Sequence, residues 1–198
     1  MRLHTCIFTL SQPRLAAPAP LASRRRCALA AIVCAVRTLS PSTTAHITQE
    51  RLFHHVTGGA ATSRGLRSGI SLSECESLLA SLALPTSVRF RLQQADDPEL
   101  FSAVFSADLQ EISNGKKLLL VNVLRQLKGT WTGHWMVCAA RAAVESGETW
   151  ALALDPAAHK LGAHWLPDGL LLSAMCTRNT RNEARGYILI EAVESDAS

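Results

Sequence analysis

No acidic residue occurs before Glu50 in this chain of 198 residues. That same stretch carries Arg2, Arg14, Arg24, Arg25, Arg26 and Arg37, so the formal net charge of +4 belongs to the N-terminus. The remainder is slightly acidic, at about −2, and lacks the basic face that nucleic acid requires; no nucleic-acid partner is expected. The six cysteines (Cys6, Cys27, Cys34, Cys75, Cys138 and Cys176) include no C-x-x-C pair and no close cysteine–histidine cluster. This argues against a structural zinc site and against a disulfide scaffold, and no protein metal ligands are expected. Reduced thiols fit an intracellular location, cytoplasmic or, given the Arg-rich start, inside an organelle. The apolar run from Cys27 to Val36 is about half of what a bilayer-spanning helix needs, so no membrane partner is expected. Internal repeats are absent as well.

What is present suits one globular domain: 47 % apolar and 18 % charged residues in a length that buries a sizeable core. Residues 1–23, rich in Ala, Pro, Ser and Leu, read as a leader or transit-like segment, and residues 24–195 as the domain. Arg24-Arg25-Arg26 ahead of the apolar run also fits a secretory signal peptide, which would remove Cys27 from an exported protein.

Downstream, the periodicities predict a short helix over Thr48–Val56 and a second from Ser71 to about Ala83. Ser71 and Glu74 have the spacing of a capping box. A strand follows at Val88–Leu92, then a helix over Asp96–Phe105 with Pro98 in its first turn. Strands are expected at Leu118–Leu124, His134–Val144, Trp150–Leu154 and Arg185–Val193, with a helix at Pro167–Met175 before the last. The class is α+β, an N-terminal helical part followed by an antiparallel sheet.

The chemistry-bearing residues lie in Thr132-Gly133-His134-Trp135 and Leu154-Asp155. Two neighbouring antiparallel strands would bring His134 beside Asp155, and a carboxylate on an imidazole orients a general base. Cys27 heads an apolar helix from Ala28 to Leu39, where the helix N-terminus favours a thiolate. Each residue also has a plain reading. Cys27 serves equally as a small buried apolar residue, His134 as a core or surface histidine, and Asp155 before Pro156 as a turn residue. The order Cys, His, Asp is that of papain-like enzymes.

Five blocks are similar to the catalytic domain of phytochelatin synthase. Cys27-Ala-Leu-Ala-Ala-Ile-Val-Cys-Ala-Val-Arg-Thr-Leu39 resembles the family's nucleophile block. Thr48-Gln49-Glu50-Arg51-Leu52-Phe53 and Gly69-Ile70-Ser71-Leu72 resemble its next two motifs. Val121-Asn122-x-Leu124-Arg125 leads into Gly133-His134 as in the family's histidine block. Asp155, Lys160, Trp165, Pro167 and Arg185-Gly186-Tyr187 follow its C-terminal pattern.

The sequence departs from that pattern at Leu21 in place of glutamine, Arg26 in place of an aromatic residue, Ala28 in place of glycine, and Met136-Val137 in place of Ser-Pro. The missing glutamine is an oxyanion donor, a loss that typically costs about 10²–10³ in turnover.

The resemblance implies a papain-like cysteine protease fold and a glutathione γ-glutamylcysteinyltransferase. Cys27 would be the nucleophile, His134 the base, Asp155 its orienting partner, and Arg125 and Lys160 cations for substrate carboxylates. It implies no tightly bound cofactor. The partners are glutathione and metal–glutathione complexes, with cadmium or zinc entering as the thiolate. The alternatives are a glutathione hydrolase and a catalytically inactive papain-like binding module. Oligomeric state is left open.

Overall fold

A computed structural model describes residues 27–57, 69–85, 88–112, 115–127, 130–156 and 162–193. The expected leader, residues 1–23, lies outside them. In chain order the elements are α1 (Cys27–Leu39), α2 (Gln49–Thr57), α3 (Leu72–Ser81), β1 (Val88–Gln94), α4 (Pro98–Glu111), β2 (Lys117–Leu127), β3 (Thr130–Ala143), β4 (Thr149–Leu154), β5 (Ala163–Pro167), α5 (Asp168–Met175) and β6 (Gly186–Ala192). The strands form one antiparallel sheet in the order β1-β6-β2-β3-β4-β5.

Both faces of the sheet are covered, which is why β2 and β6 read as unbroken apolar runs. Successive side chains point to opposite faces. Leu118, Leu120, Trp135, Val137, Ile188 and Ile190 pack with α1 and α3, whereas Leu119, Val121, Met136, Tyr187 and Leu189 pack with α4 and α5. Helix α1 is the central helix of the first face, and Ala28, Leu29, Ala30, Ala31, Ile32, Ala35 and Val36 are all buried. On the second face Asp108 of α4 is buried, accepting from Arg91 Nη2 at 2.7 Å and from the Tyr187 hydroxyl at 2.5 Å.

The α+β class stands, with α1, α2 and α3 ahead of an antiparallel sheet. The helices α4 and α5 interrupt the strands, and β6 returns between β1 and β2. Helix α4 runs six residues past Phe105 because Leu109 and Ile112 keep its apolar stripe facing the sheet. Strand β5 was not expected: among the described residues it pairs with β4 alone, and its half-exposed Ala-His-Trp-Leu-Pro shows little alternation in polarity. Helix α3 starts as its capping box requires, with Ser71 Oγ accepting from the Glu74 N–H and the Ser71 N–H donating to Glu74 Oε2 at 2.7 Å. Among the described residues no helix is long and apolar enough to cross a membrane.

Gly186 explains its own identity. It sits where β6 pairs with both β1 and β2, and an added Cβ would lie 2.1 Å from the carbonyl oxygen of Gln93. No side chain fits there.

Candidate active site

The site forms where β4 stops short of its neighbour. Leu154, the last residue of β4, pairs with Val137, and the ladder carries a bulge between Cys138 and Ala140. An extra residue in one strand re-aims the side chains beyond it. Asp155 follows immediately and turns out of the sheet, its N–H donating to the Gly162 carbonyl at 2.9 Å. Its side chain is turned to β3 and β2. Oδ1 lies 2.8 Å from His134 Nε2, and Oδ2 accepts from Arg125 Nη1. The register sets this up: His134 stands opposite Val123 and Arg125 opposite Thr132, so the imidazole and the guanidinium occupy the same face two positions apart.

Cys27 is the first residue of α1, and its thiol hydrogen-bonds to His134. With Nε2 committed to Asp155, Nδ1 is the ring nitrogen left for the sulfur. The sulfur also accepts from the backbone N–H groups of Ala28, in the first turn of the helix, and of Trp135. Burial opposes ionisation of this thiol, yet the His134 hydrogen bond and charge and the two N–H donors outweigh it and hold Cys27 below the ordinary thiol value. For His134 burial favours the neutral ring, but hydrogen bonds and charge from Asp155 and Cys27 prevail and raise its basicity. The two shifts are directed toward a thiolate–imidazolium pair, the form in which a cysteine is a nucleophile and its neighbour a proton donor.

His134 is 5 % exposed and Asp155 2 %, whereas Cys27 is partly exposed. Burying Asp155 is tolerated because each oxygen has a charged or chargeable partner. The structure thus brings Cys27, His134 and Asp155 together. Arg125, expected to hold a substrate carboxylate, has one nitrogen on Asp155 and its side chain 16 % exposed. Lys160 lies outside the described residues.

Sequence reasoning gave no role to Asn122 and Arg185. Arg185 is buried and donates from Nη1 to Asn122 Oδ1 at 2.7 Å, behind Gly133. The available signal was a polar residue inside one apolar strand and a charged one at the head of another, since buried polar groups require partners. Among the described residues no group of three or more His, Cys, Asp or Glu is arranged to hold a metal ion.

The sequence model for phytochelatin synthase matches residues 21–187, a span that contains the whole site. The chain belongs to the phytochelatin synthase family. No curated protein matches it.

Proposed function

We propose that this member of the phytochelatin synthase family is a glutathione γ-glutamylcysteinyltransferase of papain-like type. One observation carries the reading: a thiol at a helix N-terminus hydrogen-bonded to an imidazole whose far nitrogen is 2.8 Å from a buried carboxylate. In the mechanism, Cys27 Sγ attacks the carbonyl carbon of the cysteinyl–glycine amide of glutathione. The C–N bond breaks, and His134 gives its proton to the departing glycine amine, leaving a γ-glutamylcysteinyl thioester on Cys27. The amino group of a second glutathione then attacks the thioester. His134 takes its proton, the C–S bond breaks, and the peptide leaves. Asp155 holds the ring through both proton transfers, as the third member of such sites does.

Cadmium or zinc enters as part of the substrate, bound as the metal–glutathione thiolate. Arg125 and Lys160 are the cations assigned to the substrate carboxylates, Arg125 in addition to its ion pair with Asp155. The chemistry requires a reduced Cys27 and so suits a reducing compartment, the cytosol or an organelle interior.

A second reading, a binding module without turnover, is favoured by Leu21 standing where the family carries its glutamine donor. Incubation with glutathione, with and without cadmium or zinc, separates the outcomes by chromatography. Oligomeric thiol peptides together with free glycine support the transferase, whereas γ-glutamylcysteine with glycine identifies a hydrolase. Folded protein that releases no glycine is the binding module.

A further inference from the structure

Among the described residues no strand pairs with the edge of β3 beyond Leu154, and there the backbone N–H of Trp135 meets the sulfur of Cys27. The side chain of the same residue is 2 % exposed, and its Nε1–H donates to the Ile70 carbonyl at 3.0 Å. Ile70 immediately precedes Ser71, the N-cap of α3, whose capping box fixes that carbonyl in place. Glu74 of the box is held in turn by Arg181, which donates from Nη1 to Oε1 and from Nη2 to Oε2, each at 2.8 Å. Trp135 therefore joins a rigid helix start to the strand that carries the base.

We propose that Trp135 is a positioning residue for Cys27: its indole, tied to Ile70, holds β3 where the Trp135 backbone N–H points at the sulfur. The inference rests on the reading of Cys27 as the nucleophile. The Ala28 N–H is set by the helix itself, but the Trp135 N–H is only as well placed as a strand that has lost its neighbour. Hydrogen bonds weaken steeply with misalignment, and those to a charged acceptor are worth more than neutral ones. Removing the indole tie also leaves the Ile70 carbonyl buried without this donor, so the strand has a reason to shift.

Among the described residues, two titratable side chains interact with the thiol. His134 comes from β3, with Asp155 and Arg125 behind it, and Cys75 comes from α3, where complete burial keeps its thiol neutral. Relaxing the Trp135 contact removes none of these groups and alters how β3 presents the Trp135 N–H to the thiolate.

Trp135→Phe keeps an aromatic ring and deletes the N–H. The rate of Cys27 alkylation by iodoacetamide, followed by peptide mass spectrometry across the acidic to alkaline range, gives the ionisation midpoint of that thiol without any substrate. Expected is a midpoint displaced toward that of an ordinary thiol, about 3–10-fold slower alkylation at neutral pH, and the wild-type limiting rate in alkali. An unchanged midpoint with only a lower melting temperature would make Trp135 a packing residue and overturn the proposal.

Should the variant not fold, the wild-type protein answers by 15N NMR. The Trp135 backbone amide resonance should follow the Cys27 titration, and the step that coincides with that titration should vanish in Cys27→Ser. An amide that ignores that titration overturns the proposal equally. Because alkylation needs no glutathione, a protein that shows the Trp135-dependent midpoint but releases no glycine would sink the transferase and leave this inference standing.

Discussion

His134 and Asp155 lie 21 positions apart in the chain, and their side chains meet at 2.8 Å because β4 ends one residue before the aspartate. The same carboxylate takes Nη1 of Arg125, so one buried group serves a base and a cation. Asp155→Asn is expected to lower glycine release by a factor on the order of 10³–10⁴, through loss of ring orientation and of the charge that favours the imidazolium. Asp155→Ala should also destabilise the fold by about 3–5 kcal/mol, because Arg125 is left without a counter-charge. Glycine assays and urea unfolding measure the two separately.

The pH dependence follows from opposite shifts. Cys27 ionises below the ordinary thiol value of 9.0, so the acidic limb of the rate profile, set by thiolate formation, lies below it. His134 is raised above 6.5, so the alkaline limb, set by loss of the imidazolium proton, lies above that value. The profile of kcat/KM against pH should be a bell. In His134→Ala the Cys27 thiol loses its main stabilising partner, and its alkylation midpoint should move to higher pH.

Gly186→Ala is expected to cost about 4 kcal/mol or more, since the clash at 2.1 Å is with the backbone of Gln93 rather than with a movable side chain. Gly133→Ala should be milder, at about 1–3 kcal/mol. There the added carbon would meet Arg185 Nη1 at 2.9 Å and push the guanidinium away from Asn122. Thermal melts of the two variants should rank them in that order.

The residues that announce themselves in the sequence are those whose role is local. Ser71 and Glu74 show a capping box from their spacing alone, and Cys27 at the head of an apolar run marks the start of α1. Asp155 and His134 were legible as a pair because strand neighbours in sequence are commonly neighbours in the sheet. Arg125 was not legible as the partner of Asp155, since the contact depends on the register of β2 against β3 and on a bulge in the next ladder. The Trp135–Ile70 bond spans 65 positions and was equally hidden. Strand β5 was missed for a different reason: at a sheet edge its side chains are half in water, so the pattern that reveals buried strands is weak.

The capping box provides an independent check on the fold. Hydrogen bonds from Arg181, and then from Ser71, hold the Glu74 carboxyl at about 2, below its ordinary 4.5. A carboxyl lowered in the folded state contributes stability that is complete above 4.5 and fades as the pH falls toward about 2. Glu74→Gln should therefore cost about 1 kcal/mol at neutral pH, a modest value because the pair is half exposed. The difference from wild type should narrow on acidification, as read from urea midpoints.

Glycine release from glutathione by the wild-type protein, Cys27→Ser and His134→Ala, assayed side by side with folding checked by circular dichroism, tests the central claim most directly. The account predicts release by the wild type alone, with both substitutions reducing it to background. Release that survives either substitution in a folded protein would contradict it, because the acyl group would then be carried by something other than the Cys27–His134 pair.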